Sequence, residues 1–237
     1  MPPPNTPKPR KPAVQRSTDA GYRKGEAMRK RILDAALAAF GSKGFAAATT
    51  RQIAETAGTN LPGLTYYFGS KEGLYLACAH EIVASFRLGT GAVAEAAAAS
   101  LAKPDKSEAM IWLKRLFAAL AHFLFSEEGA EDRALFVQRE MTSPGPAFEI
   151  LYAELWRPGI ELAAALLSQA AAGRLSHADA QVRAVMMIAS LTGFRSGQRI
   201  VARATGGDNH VERVIAALED QIDAVATTGG EPDRAAP

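Results

Sequence analysis

Residues 44–75 read GFAAATTRQIAETAGTNLPGLTYYFGSKEGLY. Thr49 stands three residues before Gln52, the spacing of a capping box. Ile53, Ala54 and Ala57 give an apolar side, and Gly58 closes a short helix. After a turn at 58–60, Asn60 is placed to cap a second helix. Pro62 then falls in the first helical turn, where a missing N–H is tolerated. Gly63 leaves the backbone bare, so a partner can approach it closely. Leu64 and Phe68, spaced i, i+4, pack inward, which turns Tyr66 and Tyr67 partly outward. Two short helices joined by a three-residue turn make a helix-turn-helix over 49–68. The pattern fits a DNA-reading unit, and it also fits a purely structural helical hairpin.

Upstream, residues 26–41 form an amphipathic helix with Ile32, Leu33, Ala36, Leu37 and Phe40 on one face. Gly41 and Gly44 close it. Its start carries Arg29, Lys30 and Arg31, which oppose the helix dipole and so suggest another use. Residues 1–22 are basic and proline-rich with almost nothing apolar, the composition of a disordered tail. The tail is either solubilising or able to touch phosphates through Lys8, Arg10, Lys11 and Arg16. Residues 1–71 hold 12 Lys or Arg against 4 Asp or Glu, whereas the whole 237-residue chain has a net charge of only +2. A basic first part on a mildly acidic body points to a polyanionic partner for that part alone, unless the tail merely inflates the count.

Downstream, Ser70 caps a helix over about 70–88, and the Gly/Ala-rich 89–107 reads as a connection. Ser107 or Asp105 caps a helix over 108–126, and a shorter helix covers 132–141. A long helix at 147–173 is kinked at Pro158-Gly159. Helices follow at 176–204, capped by Ser176, and at 209–226; residues 229–237 form a second tail. Alanine is abundant, aromatic residues are only 7%, and no strand pairs stand out. The expected fold is all-α: a DNA-binding domain at 23–86 joined to a larger helical domain at 87–228.

A single cysteine, Cys78, forbids an internal disulfide and suits the cytoplasm. The N-terminus lacks the apolar run of a signal peptide. No stretch of about 18 uninterrupted apolar residues predicts a membrane span. His80, His122, His177 and His210 are scattered, and no metal motif, phosphate loop or nucleophile elbow is present. The expectation is a non-enzyme without metal or cofactor.

The 44–75 stretch, with the basic helix before it, resembles the DNA-binding domain of the TetR (TetR/AcrR) family of bacterial regulators. The resemblance covers about 26–86: GF at 44–45, TTRQIA, AGTN, an aromatic-rich recognition helix, then SKEGLY. TYYFGSKEGLY after Asn60, and FVQREMTSPGPAFEIL at 136–151, resemble the CecR-like branch. The resemblance implies DNA contacts from Thr49, Thr50 and Arg51, and from Asn60, Leu61, Pro62, Gly63 and Thr65 on the recognition helix. It implies phosphate contacts from Tyr66, Tyr67 and Lys71, the last at a helix N-terminus. Thr65 departs from the tyrosine most of the family places there. The apolar reading face suggests reliance on thymine methyls and DNA shape.

The resemblance further implies a homodimer, joined through about 176–204 and 209–226, on a palindromic double-stranded DNA operator. The expected protein is a cytoplasmic repressor, nucleoid-associated when bound to DNA and released by a small-molecule effector in the body. Val182, Val185, Met186, Ala189 and Gly193 form one apolar stripe, and Ile215, Leu218 and Ile222 another. Burial within one chain would explain the same stripes. Candidate pocket residues are Trp112, Leu116, Phe117, His122, Phe123, Phe136, Arg139, Tyr152, Met187 and Phe194, each of which also fits ordinary core. Arg139-Glu140, if buried, must pair with other groups or orient a polar ligand. An architectural DNA binder of the same fold, indifferent to ligands, would share every one of these motifs.

Overall fold

A computed structural model describes residues 15–126, 129–207 and 211–228, and the described residues contain helices and no strand. Most of the expected tails, 1–14 and 229–237, lie outside the described residues. The first helix, α1 (Gln15–Ala47), begins inside the segment expected to be a tail. Gly44, at φ 79°, interrupts it near the expected stop, a conformation that a residue without Cβ adopts freely. Then come α2 (Thr50–Ala57), α3 (Leu61–Phe68) and α4 (Lys71–Ser100).

The sequence places the end of α4 twelve residues too early. Residues 89–100 are helical rather than a connection. Gly89 and Gly91 each cost about 1 kcal/mol relative to alanine, but a run of alanines follows and Ala97 is fully buried in the body. By length and composition α4 could cross a bilayer, a test that core helices of soluble proteins also pass. Its Leu74, Tyr75, Cys78, Ala79, Ile82 and Val83 are instead buried in a protein core.

The body continues with α5 (Lys106–Ser126), α6 (Ala130–Thr142) and α7 (Phe148–Leu151). Asp105 caps α5, accepting from the amides of Ser107 (2.8 Å) and Glu108 (3.0 Å). A π-helical turn, Tyr152–Trp156, joins α7 to α8 (Arg157–Ala170). The expected kink is thus a π turn immediately before Pro158, whose ring nitrogen cannot continue the α-helical ladder. The expected 176–204 helix is two, α9 (His177–Ser196) and α10 (Gln198–Thr205), separated at Gly197. The chain's last described helix is α11 (Val211–Thr228).

Two apolar cores result. One joins α1–α3 and the first half of α4 to Phe136, Ala147 and Leu151 of the body. The other is built by α5, α8, α9 and α11 with the end of α4. The head is therefore fused to α6 and α7 rather than tethered by a linker.

Candidate nucleic-acid interface and internal cavity

Three caps set the helix-turn-helix. Thr49 Oγ1 accepts from the Gln52 amide (3.3 Å), Asn60 Oδ1 from Gly63 (2.8 Å) and Ser70 Oγ from Gly73 (2.9 Å). Gly58 ends α2 at φ 66°, where a side chain would collide with the Arg31 guanidinium. Leu64 is buried and Phe68 packs against the same core, under the Arg29 guanidinium. Leu61, Pro62, Thr65 and Tyr66 lie exposed on the opposite side, Tyr66 at 84%. Thr65 Oγ1 donates to the Leu61 carbonyl (3.0 Å), which leaves its methyl as the outward feature.

The remaining nominated residues differ in their freedom. Arg51 is well exposed and pairs with Glu55 at 3.2 Å, a surface contact that a phosphate can outcompete. Thr49 and Asn60 spend their side-chain oxygens on caps, and Thr50 is half-buried. Tyr67 is also half-buried and meets Tyr66 edge to face, so of the two rings Tyr66 is the exposed one. Lys71 Nζ donates to the Ala46 carbonyl (3.2 Å) above the Phe45 ring, which ties α4 to the end of α1. Lys43, not singled out from the sequence, reaches Gln52 Oε1 (3.2 Å) on α2.

A cavity of about 430 Å³ lies between the two cores. Ile82 and Phe86 of α4 and Leu155 and Trp156 of the π turn form part of its wall. Arg133, Ala134, Val137, Gln138, Met141 and Thr142 of α6 form another, and Ile188, Thr192, Arg195 and Ser196 of α9 a third. Of the nominated pocket residues, Leu116, Phe117 and Phe123 line it. Trp112, His122, Phe136, Arg139, Tyr152, Met187 and Phe194 do not line this cavity. Phe136 belongs to the head core and Met187 to the body core, while His122, Tyr152 and Phe194 are exposed. The α6 face was present in the sequence as the spacing 133, 134, 137, 138, 141. Without knowing which face met the head, the buried 136 and 140 and the half-buried 139 look equally inward.

Arg139 and Glu140 serve the other face of α6. Arg139 donates to the carbonyls of Gly41 (Nε, 2.9 Å) and Ser42 (Nη2, 2.7 Å), near the end of α1. Glu140 is 1% exposed and accepts from the Tyr75 hydroxyl (2.6 Å) and the Gly145 amide (3.0 Å). Burial, then the hydrogen bond to Glu140, pushes the Tyr75 hydroxyl well above its ordinary pKa. Burial likewise raises the Cys78 thiol, which is inert core packing rather than a nucleophile. Among the described residues no three His, Cys, Asp or Glu gather as a metal site.

The capped two-helix unit, its exposed outer face and the helical body with an internal cavity define a helix-turn-helix transcriptional regulator. Residues 32–78 match the bacterial regulatory proteins of the tetR family, and residues 111–230 match the C-terminal domain of the HTH-type transcriptional dual regulator CecR. The chain belongs to the TetR family, with a CecR-type C-terminal domain. It is 38% identical to CecR of Shigella flexneri over 136 residues, 57% of this chain and 60% of that protein. The matched segment thus spans less than two thirds of that curated relative. The Escherichia coli K12 regulator RutR is 43% identical over 68 residues, 29% of this chain and 32% of its own. A TetR-like regulator from Rhodococcus sp. RHA1 shares the fold at TM-score 0.57 and 22% identity, covering 85% of this chain and 94% of that one. AibR, solved with isovaleryl coenzyme A and operator DNA, shares it at TM-score 0.60 and 14% identity, covering 82% and 97%. These relatives and structural neighbours are TetR-family transcriptional regulators, not enzymes.

Proposed function

We propose that the protein is a cytoplasmic repressor, nucleoid-associated while bound, that occupies a palindromic operator as a homodimer and leaves it when a small apolar or amphipathic effector enters the cavity. The observation that carries this reading is the double role of α6. One face lines the cavity with Val137, Gln138 and Met141, while the other holds the head through Phe136, Arg139 and Glu140. A ligand that favours one setting of α6 favours one setting of the head, and differential affinity alone is enough to shift the population. AibR, solved in complex with isovaleryl coenzyme A and operator DNA, supports the pairing of small-molecule and DNA binding in this fold.

DNA reading falls to Leu61, Pro62, Gly63 and Thr65, with Arg51, Tyr66, Tyr67 and Lys71 on phosphates. Thr49, Thr50 and Asn60 border the same surface. The dimer supplies two recognition helices about 34 Å apart, one helical turn of DNA. Val182, Val185 and Met186 of α9, all exposed in one chain, supply the seam. Ile215, Leu218 and Ile222 of α11 are buried within the chain and leave that helix's outer face for the partner. Selection of the purified protein against a random DNA pool tests the reading. Enrichment of a two-fold symmetric sequence is expected; no enrichment would sink it.

CecR carries the name of a dual regulator. That favours a second reading in which the same dimer also activates some promoters. Transcript levels with and without the gene distinguish the two.

A further inference from the structure

The cavity wall is apolar over most of its extent, yet two arginines stand in it. Among the described residues its lining includes Arg133 and Arg195 and no Asp or Glu. Arginine stays charged at any pH a cell reaches. Arg133 lies over the Phe123 ring, with its guanidinium carbon 5.8 Å from the centroid. Arg195 is held by Gln198 Oε1 at one terminal nitrogen, while its Nε is buried without an acceptor among the described residues. The neighbouring hydroxyls add little negative charge, because Thr142 and Thr192 each donate to a carbonyl of their own helix. Near Arg195 the Gln138 and Ser196 side chains approach each other at 3.4 Å.

We infer that the effector is an amphipathic monoanion, with an apolar body against Phe86, Phe123 and Trp156 and a carboxylate-type headgroup at Arg195. This rests on the reading that the cavity holds the effector. A ligand filling this space strips water from the guanidinium. A neutral headgroup returns little for that loss, whereas a carboxylate returns a charge-assisted and geometrically matched pair. A cationic headgroup meets the like charge of Arg195. The positions of the arginines give the ligand a direction: Arg195 sits near the α9–α10 break, and Phe123 with Arg133 sits where α5 passes to α6.

Isothermal titration at pH 7.5 with decanoate, decanol and decylamine, which share one apolar body, tests the inference. Decanoate is expected to bind at least tenfold more tightly than decanol, and decylamine more weakly than either. Arg195→Gln should abolish the preference for the acid over the alcohol while leaving decanol affinity within about twofold. Arg195→Lys should keep a preference for the acid. An unchanged thermal melt certifies the fold of each variant. Ala134→Trp, which fills the cavity from α6, should block all three probes. Equal binding of acid and alcohol, blocked by Ala134→Trp, overturns the anion inference and leaves the cavity reading standing. A preference that survives in Arg195→Gln overturns the assignment to Arg195. Absence of binding by every probe overturns both readings.

Discussion

Glu140 is a carboxylate almost out of reach of water, and its two oxygens hold two donors from different parts of the chain. A glutamine can satisfy the Tyr75 hydroxyl or the Gly145 amide, but its NH2 then faces the other donor's site. Glu140→Gln should therefore cost about 1–3 kcal/mol, the penalty of an orphaned buried donor, measured by urea unfolding. Asp132 titrates in the opposite sense from most surface acids. Burial first, then Glu131 and Asp34, raise its pKa. The folded state thus binds its proton more tightly than the unfolded state does. This contribution is most favourable below the unfolded pKa of about 3.9 and is lost as pH rises through the folded value. Asp132→Asn should melt at a higher temperature than the parent at pH 7, with the difference closing near pH 3. On the DNA face, Arg51→Ala and Lys71→Ala should each lower the salt slope of operator binding by about one. Lys71→Ala should also lower the melting temperature, because it frees the Ala46 carbonyl. An unchanged slope in both variants would remove these residues from the interface.

At the scale of elements, α6 decides how much a ligand is felt. Arg139→Ala removes two charge-assisted bonds to the end of α1. It should leave effector affinity near the parent's while reducing the effector's effect on operator affinity, read by anisotropy at fixed salt. The helix-turn-helix was legible because its signals are local: Thr49, Asn60 and Ser70 cap as their spacing says, and Gly58 turns as expected. The cavity was not legible, because it depends on which face of α6 meets the head, a tertiary fact absent from periodicity. Arg139 and Glu140 were recognisable as needing partners. Three of the four groups they hold are backbone, and backbone partners leave no mark in sequence. Residues 89–100 were misread because glycine punctuation was weighed above the alanines that follow it.

For the whole molecule, the exposed stripe of α9 is the decisive surface. Met186→Glu places a charge in the proposed seam and should yield monomers by light scattering at micromolar concentration, with operator affinity falling at least tenfold. A dimer that persists would place the seam elsewhere. The body also contains a phase change. Helix α7 contributes Leu151 to the head core, whereas α8 contributes Ala163, Leu166 and Leu167 to the body core, and only the π turn at Tyr152–Trp156 lies between them. Such a turn acts as a single extra residue spliced into an α-helix, offsetting all later side chains by roughly 100° of rotation. One helix thereby serves two cores whose directions a straight α-helix could not reconcile. The number of residues is held tightly here: a one-codon deletion at Ala153 would be more damaging than most substitutions nearby.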